Sequence, residues 1–168
     1  DKVDAAKVVA LYDVNREAAA ALNESLVSET FEEAVERADA VYIATPHNLH
    51  YQQAKYALEH GRHVLCETPM VLRKSEAEEL FTIAKERGLV LLEANKTAYS
   101  PAFNHLVTLV KSGLIGDVVG IDASESKLWG EENLKRELDP QMAGGSLYEM
   151  GSYPLLPIVK LLGTEYEQ

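Results

Sequence analysis

The sequence predicts an α/β fold in which a parallel sheet carries helices on both faces. Three observations predict it. Short apolar runs recur through the first half of the chain, each is followed by a stretch of helical spacing, and turn or capping residues separate the two.

The run VVALY at 8–12 is continuously apolar, as in a strand buried on both faces, and ends at Asp13. NREAAAALNESL then has helical spacing with Asn15 as N-cap, and Leu26 with Val27 predicts a further short strand. Thr30 and Glu33 have capping-box spacing at the start of the helix FEEAVERA. AVYIATP is the next buried run, closed by Pro46. Residues 49–59 are expected to be helical as far as Gly61, and HVLCE forms a strand after it. Ser75 is expected to cap EAEELFTIAKER, Gly88 to end it, and LVLLEA to be the following strand.

Beyond Lys96 the rhythm changes. PAFNHLVTLVKSG reads as a helix with Pro101 in its first turn and Gly113 past its end, followed by a strand over 118–124. Residues 127–142 lack apolar periodicity and predict a loop with a helical turn, and 144–163 resume an apolar pattern. The change places a domain boundary within 99–116, dividing the chain into units 1–100 and 101–168.

Composition bounds the function. The 168 residues include 46% hydrophobic side chains, enough for a packed core. With 16 Lys+Arg against 27 Asp+Glu, the net charge of −11 argues against nucleic acid or an anionic membrane as the main partner. Cys66 is the only cysteine, so neither an intrachain disulfide nor a Cys-rich metal site is expected, and a reducing cytoplasm fits best. No secretory signal pattern and no apolar run of spanning length is present, so a soluble protein is expected.

In parallel α/β sheets ligands sit beyond the carboxyl ends of the strands, which directs attention to Asp13, TPHNLH, ETP and EANK. Asp13 is placed to accept hydrogen bonds from ribose hydroxyls, favouring NAD, or is an ordinary turn aspartate. Thr45, Pro46, Asn48 and His50 stand at a strand-to-helix junction, where they either cap the helix or face a ligand. Glu67, Thr68 and Pro69 offer a carboxylate and a hydroxyl. Lys96, on the following strand, reaches the space above Thr68 if the two strands are adjacent, about 4.8 Å apart. Gly144 and Gly145 precede Glu149 and Tyr153, which share one face if their segment is helical. Tyr153 is then an acid/base candidate or a core tyrosine.

The ordered segments LYDVNREAA, DAVYIATPHNLHYQQAKYALEHGRHVLCETPM, LLEANKTAYSPAF and AGGSLYEMGSYPLLPIVKLLG resemble the Gfo/Idh/MocA family of NAD(P)-dependent oxidoreductases. The resemblance runs from about residue 8 to 163. It implies a Rossmann-type doubly wound sheet followed by the beginning of an α+β substrate domain. It also implies hydride transfer between NAD or NADP and a sugar, polyol or related alcohol, with a homo-oligomer as a possible assembly. By resemblance, Asp13 faces the adenosine ribose, Thr45, Pro46, Asn48 and His50 line the cofactor, and Glu67, Thr68 and Pro69 lie beside the nicotinamide. Glu149 and Tyr153 match the tyrosine version of the late motif.

The sequence departs from the family twice. The usual Glu-Lys-Pro reads Glu67, Thr68, Pro69 here, so the lysine is expected to be supplied by Lys96, with Tyr153 exchanging the substrate proton. No GxGxxG, and no strand to carry one, precedes VVALYD, so the chain reads as an incomplete piece of a longer enzyme. Both departures leave a second reading open: a non-catalytic dinucleotide-binding or regulatory relative, or an inactive truncated fragment.

Overall fold

The computed structural model describes residues 5–128, 130 and 137–165. Three parallel strands form its sheet: β1 (Ala40–Ile43), β2 (His63–Cys66) and β3 (Leu91–Glu93), in the order β1-β2-β3. Their register pairs Ala40 with His63, Ile43 with Cys66, and Cys66 with Glu93. The ladder continues one step past the strands, where Glu67 N–H donates to the Ile43 carbonyl at 2.9 Å and Ala94 N–H to that of Cys66 at 2.7 Å.

Helix α1 (Arg16–Asn23) opens at Asn15, whose side chain accepts from Ala18 N–H as the sequence predicts. Helix α2 (Phe31–Glu36) has Thr30 as N-cap, accepting from Glu33 N–H at 3.1 Å. The Glu33 carboxylate reaches the N–H of Glu29 instead of Thr30, so the expected box is shifted by one residue. Helix α3 (His47–Glu59) connects β1 to β2, and α4 (Lys74–Arg87) connects β2 to β3. Because α3 starts directly after Pro46, it is two residues longer at its N-terminus than the spacing over 49–59 indicates. The α4 cap is Arg73 and not Ser75, which lies inside the first turn; the Glu76 carboxylate accepts from Leu72 and Arg73 N–H and satisfies that end. Gly88 closes α4 at φ 66, a left-handed conformation glycine adopts without steric cost.

Both crossovers step the same way across the sheet, so a right-handed connection sets α3 and α4 on the same face, packed on one another. Within the described strands, helices therefore cover one face. The core lies there: Ile43, Val64, Cys66 and Leu91 from the strands meet Ala54, Ala57 and Leu58 of α3 and Leu80 and Ala84 of α4. The alternate residues Tyr42, Leu65 and Leu92 point to the opposite face and remain exposed.

Three expected strands, over 8–12, 26–27 and 118–124, do not form. Of residues 8–12, only Leu11 pairs, in a single parallel bridge with Val27, whose neighbours Glu24–Leu26 form a 3-10 turn. The Arg37 guanidinium holds this segment by donating to the Val9 carbonyl and Ser28 Oγ. Residues 118–124 make no ladder among the described residues, and Val119 is fully exposed. An apolar alternation becomes a strand only where a neighbour takes its backbone hydrogen bonds.

The C-terminal part begins with α5 (Pro101–Lys111), with Pro101 in its first turn and Ser100 as N-cap. Residues 129 and 131–136 of the expected loop lie outside the described residues; near its end, Pro140–Met142 forms the 3-10 turn. Helices α6 (Ser146–Met150) and α7 (Ser152–Leu162) follow.

Leu58 is fully buried at the centre of the α3–α4 layer. Leu58→Ala is expected to cost about 2–5 kcal/mol, read from the urea midpoint, because the packed alanines around it leave little room for collapse.

Candidate active site at the strand ends

The aligned ends of β1, β2 and β3 open onto a cavity of about 620 Å³ whose far wall comes from α6 and α7. Each strand end contributes through the turn that follows it.

After β1, Ala44, Thr45 and Pro46 lead into α3 and line the cavity. Thr45 Oγ1 donates to Gln53 Oε1 at 2.6 Å. His50 lines the cavity but is fully buried, not a surface residue. Its Nδ1 lies 2.9 Å from the Pro69 carbonyl and its Nε2 2.7 Å from that of Thr45. A neutral ring has one N–H and donates it to one of these two carbonyls while the other nitrogen packs against the second, so the ring fills the gap between the turns after β1 and β2. Burial lowers its pKa below the ordinary histidine value, and the two carbonyls oppose that shift without overcoming it.

After β2 come Glu67 and Thr68, both on the cavity wall. The Tyr42 hydroxyl donates to the Glu67 carboxylate. That bond, with burial and the negative charge beside it, pushes the Tyr42 hydroxyl up to about 12. Thr68 is buried, and the Glu93 carboxylate of β3 accepts the Met70 N–H at 2.9 Å to shape the turn. Burial, reinforced by Glu93 and Glu67, pushes the Cys66 thiol up to about 12, which makes it a packing residue and not a nucleophile.

After β3 the chain turns at once into a 3-10 helix, Lys96–Tyr99, so Lys96 sits just past the strand instead of on it. β2 and β3 are adjacent, and Lys96 and Thr68 line the same cavity. The Lys96 Nζ lies 5.4 Å from the centroid of the Tyr153 ring, within cation–π range. Glu149 is in α6 and Tyr153 in α7, with Gly151 between the helices. The backbone ladder nevertheless runs through, from Gly151 N–H to the Leu147 carbonyl and from Leu155 N–H to that of Gly151. The four-residue spacing therefore still brings Glu149 and Tyr153 to one cavity. A Cβ at position 151 would stand 2.4 Å from the Leu147 carbonyl oxygen, so only glycine fits between the two helices.

Not every expected site residue lines the cavity. Asp13 is exposed at the start of α1, where its Oδ1 accepts the Asn15 N–H at 2.7 Å in a local turn. Asn48 is exposed, and Pro69 contributes its carbonyl to His50. Conversely, His47 lines the cavity although the sequence reading passed over it. Buried at the first position of α3, it places Nδ1 3.1 Å from the Ala143 carbonyl and Nε2 3.8 Å from Glu149 Oε1. Those partners come from the distant α6 region, so no local spacing could have shown them. Glu125 and Lys127, two residues apart, complete the rim. Among the described residues no three or more His, Cys, Asp or Glu converge to hold a metal ion, and no helix is long and apolar enough to cross a membrane.

With its pKa depressed, His50 binds fewer protons in the folded chain than in the unfolded one, so the neutral ring's contribution is complete above the ordinary value of 6.5 and is lost as pH falls through the lowered one. His50→Gln removes that dependence. The stability gap between wild type and variant, from urea titrations between about pH 7.5 and pH 5, is expected to narrow on acidification. A constant gap would show that His50 does not couple folding to pH.

Comparison with known proteins agrees with this geometry. The family described as "Oxidoreductase family, NAD-binding Rossmann fold" matches residues 1–95. The chain is 38% identical over 132 residues to scyllo-inositol 2-dehydrogenase (NADP(+)) of Bacillus subtilis, covering 75% of this chain and 40% of that protein. It is 34% identical over 127 residues to the trans-1,2-dihydrobenzene-1,2-diol dehydrogenase of Sus scrofa, covering 76% of this chain and 37% of that protein. The crystal structure of KijD10, a 3-ketoreductase from Actinomadura kijaniata in complex with NADP and TDP-benzene, superposes with a TM-score of 0.73 at 28% identity, over 89% of this chain and 47% of that one. The chain thus spans less than half the length of these relatives. With the family match, the three parallel strands and the cavity at their carboxyl ends in agreement, the chain belongs to the Gfo/Idh/MocA oxidoreductase family and has its Rossmann-type fold.

Proposed function

We propose that this chain carries the nicotinamide end and the proton-transfer groups of an oxidoreductase that acts on the carbinol carbon of a sugar, polyol or related alcohol. The observation that supports this most is the meeting, in one strand-end cavity, of Lys96 and Tyr153 at 5.4 Å with Glu149, Glu67 and Thr68. The residues suit a nicotinamide: the cavity is roomy, and its floor offers hydroxyl and backbone groups at the start of α3. A bound nicotinamide supplies or accepts the hydride.

In this reading Tyr153 exchanges the proton of the substrate hydroxyl. Lys96, over its ring, offsets the negative charge that develops on the phenol or on the substrate oxygen. It does the work of the lysine that Thr68 replaces, from the neighbouring strand end. Glu149 and Glu67 accept hydrogen bonds from substrate hydroxyls. NAD or NADP both suit the fold, and the curated relatives named above and a D-xylose 1-dehydrogenase of Hypocrea jecorina include enzymes named for NADP(+). Asp13 inclines the proposal to NAD, since a carboxylate at the ribose opposes a 2′-phosphate. A cytoplasmic location and a homo-oligomeric parent enzyme complete the proposal.

A second reading is supported by Thr68 at the usual lysine position: a dinucleotide-binding relative that senses without converting. Fluorescence titration with NADH and NADPH, followed by turnover on sugars, inositols and diols, separates the two. The enzyme reading expects binding with turnover; binding without turnover supports the sensor. Lys96→Met and Tyr153→Phe are each expected to lower turnover by about 10²–10⁴-fold while leaving cofactor affinity within about twofold. Unchanged turnover in both variants would end the catalytic assignment.

A further inference from the structure

We propose that His47 is a positioning residue, a clamp that fixes the approach to α6 and α7 against the start of α3 through the Ala143 carbonyl and so keeps Tyr153 beside Lys96. Only the catalytic consequence rests on the function proposed above; the clamp itself stands on geometry.

A carbonyl oxygen only accepts, so the His47 Nδ1 that lies 3.1 Å from the Ala143 carbonyl carries a proton and donates it there. The other ring nitrogen then faces Glu149 Oε1 at 3.8 Å, beyond hydrogen-bond length, so the bond to the Ala143 carbonyl is the direct tie. One ring therefore holds the chain just before Gly144 and Gly145 and abuts Glu149 just after them. The ring is backed edge-on by His50 at 5.6 Å between centroids, and His50 is itself locked between the carbonyls of Thr45 and Pro69.

The clamp has work to do because packing alone holds this wall weakly. Neither α6 nor α7 buries a side chain fully, whereas α3 alone buries five. Ala143 has φ 55, a left-handed conformation unfavourable for a residue with a Cβ, and its carbonyl is the atom His47 binds. A further polar tie to this wall is Asn95 Nδ2, which donates to the Ser152 carbonyl at 3.3 Å. His47 holds the start of the helix pair and Asn95 its middle, and Tyr153 follows directly.

The test uses the full 168-residue chain, isotope-labelled for NMR. In His47→Ala the amides of Glu149, Gly151 and Leu155 are expected to exchange with solvent at least about tenfold faster, while those of Val64, Glu67 and Ala94 keep their protection. The cross-relaxation between the Lys96 ε-methylene and the Tyr153 ring should weaken in parallel. His47→Asn, which keeps a donor for the Ala143 carbonyl, should restore much of both signals, and His47→Leu, of similar bulk without a donor, should not. Unchanged exchange in His47→Ala, equal rescue by Leu and Asn, or loss of protection spread evenly over the sheet would each overturn the proposal. Where turnover is measurable, His47→Ala lowers kcat at least about tenfold with the cofactor KM within about twofold, and the reverse split would also overturn it. A wild-type chain without turnover counts against the proposed function alone, since the exchange pattern decides the clamp.

Discussion

The structure depends on the register of β2 between its two parallel neighbours. Pairing Ile43 with Cys66 and Cys66 with Glu93, and extending the ladder through the Glu67 and Ala94 amides, brings three strand ends to one level. Everything that lines the floor of the cavity leaves the sheet at that level: Thr45 after β1, Glu67 and Thr68 after β2, Lys96 after β3. A slip of one residue in β2 would turn its core residues Val64 and Cys66 to the exposed face and carry Thr68 away from Lys96. The apolar layer of α3 and α4 opposes such a slip, and the same burial places His50 where it braces two of the three turns.

The two walls of the cavity are held by different forces. The floor is built on an apolar core in which alanines of α3 and α4 allow close approach, and its stability is mainly hydrophobic. The opposite wall, α6 and α7, packs on α5 without burying a side chain fully and is tied to the strand ends by polar contacts of His47 and Asn95. Polar contacts of this kind each contribute about 0.5–1.5 kcal/mol, far less than burial of the floor, so the wall is the part expected to move when a ligand enters or leaves.

Much of this was legible in the sequence because it is local. The helices α1, α2, α4 and α5 were visible from Asn15, Thr30, Gly88 and Pro101, and the three strands from short apolar runs, since capping and burial leave their marks within a few residues. The nearness of Lys96 to Thr68 was expected only if their strands were neighbours, which the pairing of β2 with β3 supplies. What failed was what depends on a partner. VVALY and residues 118–124 have the composition of strands, but pairing is a property of two segments, and the described residues give the first a single bridge and the second none. His47 was hidden for the same reason, as its role exists only through Ala143 and Glu149. Asp13 shows the limit from the other side: a carboxylate that ends an apolar run satisfies a local turn just as well as it would a ribose.

The proposed nicotinamide site is the strand-end cavity, between the turns that follow β1 and β2 and the Lys96–Tyr153 pair. Reduced nicotinamide mononucleotide tests it most directly, because it lacks the adenosine half and needs no glycine-rich turn. Titrated into the isotope-labelled chain, it is predicted to shift the amide signals of Thr45, His47, Thr68, Lys96, Glu149 and Tyr153 together and saturably. Shifts confined to the exposed face of Tyr42, Leu65 and Leu92, or to the α1 end around Asp13, would contradict the account.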